Sequence, residues 1–170
     1  MRNHTVTFDS FIQDTPEKTH ARKQATNAAG SLKSIVMLGN YGTGKTLLAN
    51  CICNSFENAS VMTVNKIARN FRTAMMDRHP NGFSEFDLIT RVKALDYLVI
   101  DDVGAKGISD YESSVISEII DIRYAEGKPT GITSNLNITA LKEALGERTV
   151  DRLKDDGGLL AVFNWGSQRG

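Results

Sequence analysis

The 170 residues include only 2 cysteines, 3 prolines, 3 histidines and 1 tryptophan, and each scarcity closes off a class of protein. Cys51 and Cys53 stand two apart in what reads as a helix, where side chains at that spacing point about 200° apart and do not meet. There is no second cysteine pair and His4, His20 and His79 are scattered, so no zinc-site spacing can be assembled. No uncharged apolar run reaches the roughly 18 residues a membrane helix needs, and residues 1–30 lack the apolar core of a signal peptide. A reduced, cytoplasmic setting without membrane contact is expected. Neither charge sign is in excess: 20 Lys and Arg face 20 Asp and Glu, which argues against a highly basic nucleic-acid coat or a polybasic membrane binder and leaves room for a local basic strip. The 41% hydrophobic content is ordinary, and a domain of this size buries roughly 70% of its unfolded surface, enough for a core without a disulfide or metal staple.

No repeat and no Pro- or Ser-rich linker divides the chain, so one domain, residues 31–170, with a lead-in over residues 1–30 is expected. In the lead-in, Thr15 before Pro16 and Glu17 marks a helix start and Gly30 its end, and the polar run between them reads as a surface helix. Ile35 to Leu38 reads as a buried parallel strand, and Thr46 to Phe56 as a helix apolar on nearly every side. Further strands are expected at 61–64, 95–100, 130–133 and 159–163, with helices at about 65–77, 111–125 and 138–154, the last broken near Gly146. Tyr111, Val115, Ile116, Ile119, Ile120 and Ile122 share one half of the 111–125 helix. Strands alternating with helices mean an α/β fold with a mainly parallel sheet, whose ligands bind at the carboxyl ends of the strands.

GNYGTGKT, Gly39 to Thr46, has the phosphate-binding pattern of Gly, four residues, then Gly-Lys-Ser/Thr, set between strand and helix as that motif requires. Gly39, Gly42 and Gly44 let the backbone curl so that the N–H groups of this stretch, with Asn40, Tyr41, Thr43 and Leu47, face phosphate oxygens. Lys45 meets the β and γ oxygens, and Thr46 offers its hydroxyl to Mg²⁺. LDYLVIDD, residues 95–102, delivers Asp101 to the same edge, where it holds Mg²⁺ through water. Asp102 either orients or deprotonates the attacking water, one methylene shorter than the Glu common at that place in hydrolysing NTPases, or, like any acid after a strand, merely starts a solvated loop.

With these motifs, the chain resembles the DnaC-type and IstB-type AAA+ ATPases, whose members load replicative helicases or assist transposases. The resemblance covers about residues 35–170 and rests on GNYGTGKT, LDYLVIDDVG, GKPTGITSNLN, LGERTVDRL and the closing AVFNWGSQR, which is more similar to the DnaC side. It implies a P-loop NTPase fold of the additional-strand type, five parallel strands between helices, with the lid reduced or absent. It implies Mg²⁺-dependent hydrolysis of ATP, ATP itself being inferred from the family alone. Asn135 is implied as sensor 1, polarising the attacking water, with a turn or cap Asn as the bland alternative. Arg152 is implied as an arginine finger acting on a neighbouring subunit's nucleotide, with Arg148 as the nearby alternative, and Arg169 as sensor 2. A finger acting in trans implies an ATP-dependent homo-oligomer.

The expected partners are a hexameric replicative DNA helicase and single-stranded DNA. Lys66, Arg69 and Arg72 form an outward stripe opposite Ile67, Ala68, Phe71, Ala74 and Met75, either a solvated face or a track for a phosphate backbone. Residues 1–100 hold 12 basic and 8 acidic side chains against 8 and 12 in residues 101–170, which places any DNA contact in the first part. The short lead-in fits a truncated chain, a compact phage- or prophage-type version, or recruitment through a second protein. Transposition assistance and an ATP-binding switch with little hydrolysis remain the alternatives. A small-molecule kinase would need an acceptor pocket and commonly a mobile Arg-rich lid, and no lid segment is seen.

Overall fold

Short apolar runs become strands and the stretches between them become helices, in the order the periodicity predicts. The structure, a computed structural model, describes residues 6–168, apart from the side chain of Asp156. The strands are β1 (Ile35–Gly39), β2 (Ala59–Thr63), β3 (Tyr97–Val103), β4 (Thr130–Ser134) and β5 (Leu159–Phe163). The helices are α1 (Pro16–Gly30), α2 (Lys45–Asn54), α3 (Val64–Met75), α4 (Glu85–Ala94), α5 (Asp110–Ala125), α6 (Ile138–Leu145) and α7 (Glu147–Lys154). All strand pairs are parallel, in the order β2-β3-β4-β1-β5, so β4 is inserted between β1 and β3. Every strand therefore ends at the same edge, where the phosphate-binding sequence follows β1 and the acids close β3.

The pleat sends alternate residues to two cores. Val36, Leu38, Leu98, Ile100 and Ile132 pack against α3 to α7, whereas Ile35, Met37, Tyr97, Val99, Ala161 and Phe163 pack against α1 and α2. The lead-in is more than a polar surface segment. Ala21, Ala25 and Ala28 are buried against the second core, and Phe11, 2% exposed, stands edge-on to Phe163 and Trp165. Alanine gives little hydrophobic contrast, which is why this face reads as polar in the sequence.

Helix α4 has no counterpart in the sequence reading. Ser84 and Asp87 form a reciprocal capping box at its start, and Leu88 and Val92 seat it on the core. On α3, Ile67, Ala68, Phe71 and Ala74 are buried as expected, but Met75 is 61% exposed at the last turn. On α5 Val115, Ile116, Ile119 and Ile120 are buried as expected with Tyr111 packed against them, whereas Ile122 is only half-buried outside that core and the fully buried Arg123 is an unexpected member. Gly146 separates α6 from α7 with a φ of 88°, a backbone region in which L side chains are strained.

Candidate functional site

The loop from Gly39 to Lys45 leaves β1 and turns directly into α2. Gly42 and Gly44 have φ of 74° and 99°, and a Cβ at either would lie 2.2 Å from Ser167 Oγ or 2.7 Å from a ring carbon of Phe11. Glycine is therefore required twice over, for conformation and for space. Tyr41 to Leu47, Asp101, Asp102 and Gln168 line a cavity of about 440 Å³. Lys45 is 8% exposed, and its Nζ donates to Gly39 O at 2.6 Å, Asn40 O at 2.7 Å and Thr43 Oγ1 at 3.4 Å. Burial holds this ammonium below the ordinary lysine range, against the opposing pull of the Asp102 and Asp101 carboxylates. A cation held by neutral carbonyls beside a cavity is placed to exchange them for anionic oxygens.

The two acids are presented by a break in the sheet. Pairing of β3 with β4 runs in register through Ile100 and Ile132 and resumes at Val103 and Ser134, so Asp101 and Asp102 together oppose Thr133. Such a bulge re-aims side chains at a strand end. Asp102 takes a φ of 59°, uncommon for a residue with a Cβ, and its N–H donates to Thr133 Oγ1 at 3.0 Å. The Thr133 hydroxyl in turn donates to Asp101, and Thr46 Oγ1 lies 3.1 and 3.2 Å from the two Asp101 oxygens. Asp101 is buried and Asp102 is exposed, and both line the cavity.

The hydroxyl of Thr46 and the carboxylate of Asp101 fit Mg²⁺. Both are hard oxygen donors set side by side on the cavity wall, where they would hold the ion directly or through its water. Among the described residues no cluster of three or more His, Cys, Asp or Glu is arranged to hold a metal alone. Phosphate oxygens would complete the shell, which is the usual way Mg²⁺ is held.

Asn135 follows β4, between the strands that carry Lys45 and Asp101, and its Oδ1 is buried without a hydrogen-bond partner. Asn137, not Asn135, caps α6, accepting from Ala140 N at 2.9 Å. Arg152 lies at the other end of the molecule. It pairs with Asp121, sits 5.5 Å from the Tyr124 ring centroid, and lines a surface cavity with residues 32–34 and 128–129, which precede β1 and β4. Five-residue strands span about 16 Å, so Arg152 does not reach its own chain's phosphate loop. Arg148 is exposed beside it. Arg169 lies outside the described residues. Lys66, Arg69 and Arg72 are all exposed on one side of α3, with Arg72 over the Tyr111 ring at 4.8 Å.

Sequence reasoning missed Thr133, Trp165 and Gln168. The first stands in the quoted block GKPTGITSNLN and the other two in AVFNWGSQR, but their contacts cross up to 126 positions of sequence and leave no local signal.

A family profile described as IstB-like ATP binding protein matches residues 7–156. The chain belongs to this family. Over 154 residues it is 36% identical to the replicative helicase loader DnaC of Escherichia coli strain K12, a match covering 88% of this chain and 61% of that protein. This chain thus spans less than two thirds of the length of that curated relative. Its fold superposes on the crystal structure of the DnaC helicase loader with a TM-score of 0.80 at 20% identity, covering 96% of this chain and 99% of the other. On the replication initiator DnaA bound to AMPPCP and single-stranded DNA the TM-score is 0.78 at 21% identity, covering 98% and 52%. The architecture is accordingly that of the AAA+ P-loop domains, as the sequence implies, and ATP binding is the property in the family's description.

Proposed function

We propose that this chain is a DnaC-like AAA+ ATPase that hydrolyses ATP with Mg²⁺ and uses the cycle to load or remodel a hexameric replicative helicase on single-stranded DNA in the cytoplasm. The observation that carries the catalytic part is the convergence of Lys45, Thr46, Asp101 and Asp102 on one cavity across a bulge that holds the acids in place. When bound, Mg²⁺ neutralises charge developing on the phosphates. Lys45 releases the Gly39 and Asn40 carbonyls and takes phosphate oxygens, and the loop amides hold the remainder of the polyphosphate. Asp102 orients the attacking water and accepts its proton, and Asn135 turns its amide to the same water.

Arg152 serves a neighbouring subunit, because its own phosphate loop lies at the far edge of the sheet; opening of its pair with Asp121 would accompany assembly. Arg169 is proposed as sensor 2 on the strength of the family resemblance. The outward stripe of Lys66, Arg69 and Arg72 supplies the DNA track. No described helix is long and apolar enough to cross a membrane.

The test is size-exclusion chromatography of this chain with the replicative helicase hexamer of its host, in ATP, ADP or no nucleotide, with Lys45→Ala as control. An ATP-sensitive complex is expected in the wild type and absent in the variant. No complex in any nucleotide state would overturn helicase loading by this chain and bring transposition assistance forward. Charge reversal at Lys66, Arg69 and Arg72 should weaken single-stranded DNA binding and flatten its salt dependence; unchanged binding would reduce the stripe to a solvated face.

A further inference from the structure

After β5 the chain does not leave the domain. Residues 164–168 run back across the phosphate loop as a strap. Trp165 Nε1 donates to Thr43 O at 3.0 Å, the Gln168 N–H donates to Gly42 O at 2.7 Å, and Ser167 packs where Gly42 has no side chain. The indole is held in turn by Phe163 and Phe11, with ring centroids at 4.9 and 6.4 Å.

These bonds have a directional consequence. In a trans peptide the C=O and the following N–H point opposite ways, and no described peptide is cis. Fixing the Gly42 carbonyl toward the strap turns the Thr43 N–H away from it, and fixing the Thr43 carbonyl does the same for the Gly44 N–H. The directions of two loop amides are thereby fixed before any anion arrives. Gln168 also lines that cavity with its side chain, and its Nε2 is buried without a hydrogen-bond partner. An unpaired buried donor costs free energy unless an acceptor takes it up.

We propose that this strap is a working part of the polyphosphate site: the Gln168 side-chain amide is a direct ligand of the phosphates, and the Trp165 indole is a positioning group for the Thr43 and Gly44 amides. The inference rests on the reading of the cavity as a nucleoside triphosphate site. It predicts that the strap contributes to the anion and not to the base.

The experiment is calorimetric titration of the whole chain with ATP and with inorganic triphosphate, for wild type, Gln168→Ala, Gln168→Glu and Trp165→Phe, with thermal unfolding of each free protein alongside. Trp165→Phe keeps an aromatic ring while removing the N–H donor and part of the indole's bulk, whose packing loss the thermal unfolding reads separately. Gln168→Ala and Trp165→Phe should each weaken both ligands by about tenfold, in equal proportion, with unfolding little changed. Gln168→Glu should weaken them further by charge repulsion. Affinities equal to wild type, or a loss confined to ATP, would overturn the inference, the second outcome assigning the strap to the nucleoside. A fall in thermal stability with unchanged affinity would also overturn it, leaving the strap a purely structural element. Failure of the wild type to bind either ligand would instead strike at the triphosphate reading of the cavity.

Discussion

Two regions of this domain take a cation out of water, one at each end of the sheet. At the carboxyl end Lys45 is held by the Gly39 and Asn40 carbonyls and the Thr43 hydroxyl, on the wall of a cavity that also contains Asp101 and Asp102. At the amino end Arg123 is fully enclosed and donates to Val92 O at 2.6 Å, Leu95 O at 3.0 Å, Pro129 O at 2.7 Å and Thr130 Oγ1 at 3.0 Å. Burial lowers both pKa values, that of Arg123 to about 10. The difference lies in what can replace the partners. Arg123 bonds the carbonyls of Val92 and Leu95, at the last turn of α4 and its cap, where a helix leaves its C=O groups unpaired, and it ties them to the turn before β4. No ligand reaches it. Lys45 makes similar bonds on the wall of a cavity, so an anion entering it can displace them. The same chemistry serves as a fastener in one place and a receptor in the other.

The sharpest way to break this comparison is to remove each cation. Lys45→Ala should cost about 3–5 kcal/mol of ATP binding, more than a hundredfold, as expected when one partner of a buried charge contact is removed. Its unfolding midpoint without nucleotide should hold or rise, because the variant deletes a desolvated charge. Arg123→Met should do the reverse. It abandons three carbonyls and a hydroxyl in the interior and should lower stability by about 2–4 kcal/mol in urea titration. Nucleotide affinity of the molecules that remain folded should be unchanged. A destabilised Lys45→Ala, or an Arg123→Met that folds normally and binds poorly, would mean that the two regions are coupled and the division between fastener and receptor is wrong.

The receptor was legible in the sequence and the fastener was not, for a physical reason. The phosphate loop is local: glycines, lysine and threonine at fixed spacing between a strand and a helix, with the hydrogen bonds of Lys45 made to Gly39, Asn40 and Thr43. Parallel strands buried on both faces read as continuous apolar runs, which is why β1 and β4 match their expected positions and β3, expected at 95–100, lies at Tyr97–Val103. Arg123 follows Ile122 and reads as one charge on a helix face, since periodicity counts apolar residues and a buried cation subtracts from the pattern. Helix α4, whose C-terminal carbonyls it takes, was missed with it: Phe86 is 76% exposed, and only Leu88 and Val92 hold the helix down. Asp101 and Asp102 were found, but the bulge that aims them depends on Thr133, across the sheet. Long-range pairing leaves no trace at a fixed spacing.

A smaller effect sharpens the receptor half of the comparison, because it reads the displaceable bonds directly. Free Lys45 titrates below the ordinary 10.5, chiefly through burial. A triphosphate that replaces two neutral carbonyls with anionic oxygens raises that pKa again, so binding takes up a proton at any pH between the free and bound values. ATP affinity should therefore fall as pH rises through the free protein's Lys45 pKa, by at most about 1.4 kcal/mol, or tenfold, per pH unit. The free protein's stability moves the other way. The unfolded chain holds this proton more tightly, so stability rises with pH from the lowered folded value up to 10.5. Calorimetry of ATP binding in buffers of differing ionisation enthalpy measures the uptake, which should climb from near zero toward at most one proton as pH enters that window. Uptake that stays at zero throughout would mean that Lys45 keeps the same surroundings with and without the anion, and that the phosphates are held by the loop amides alone.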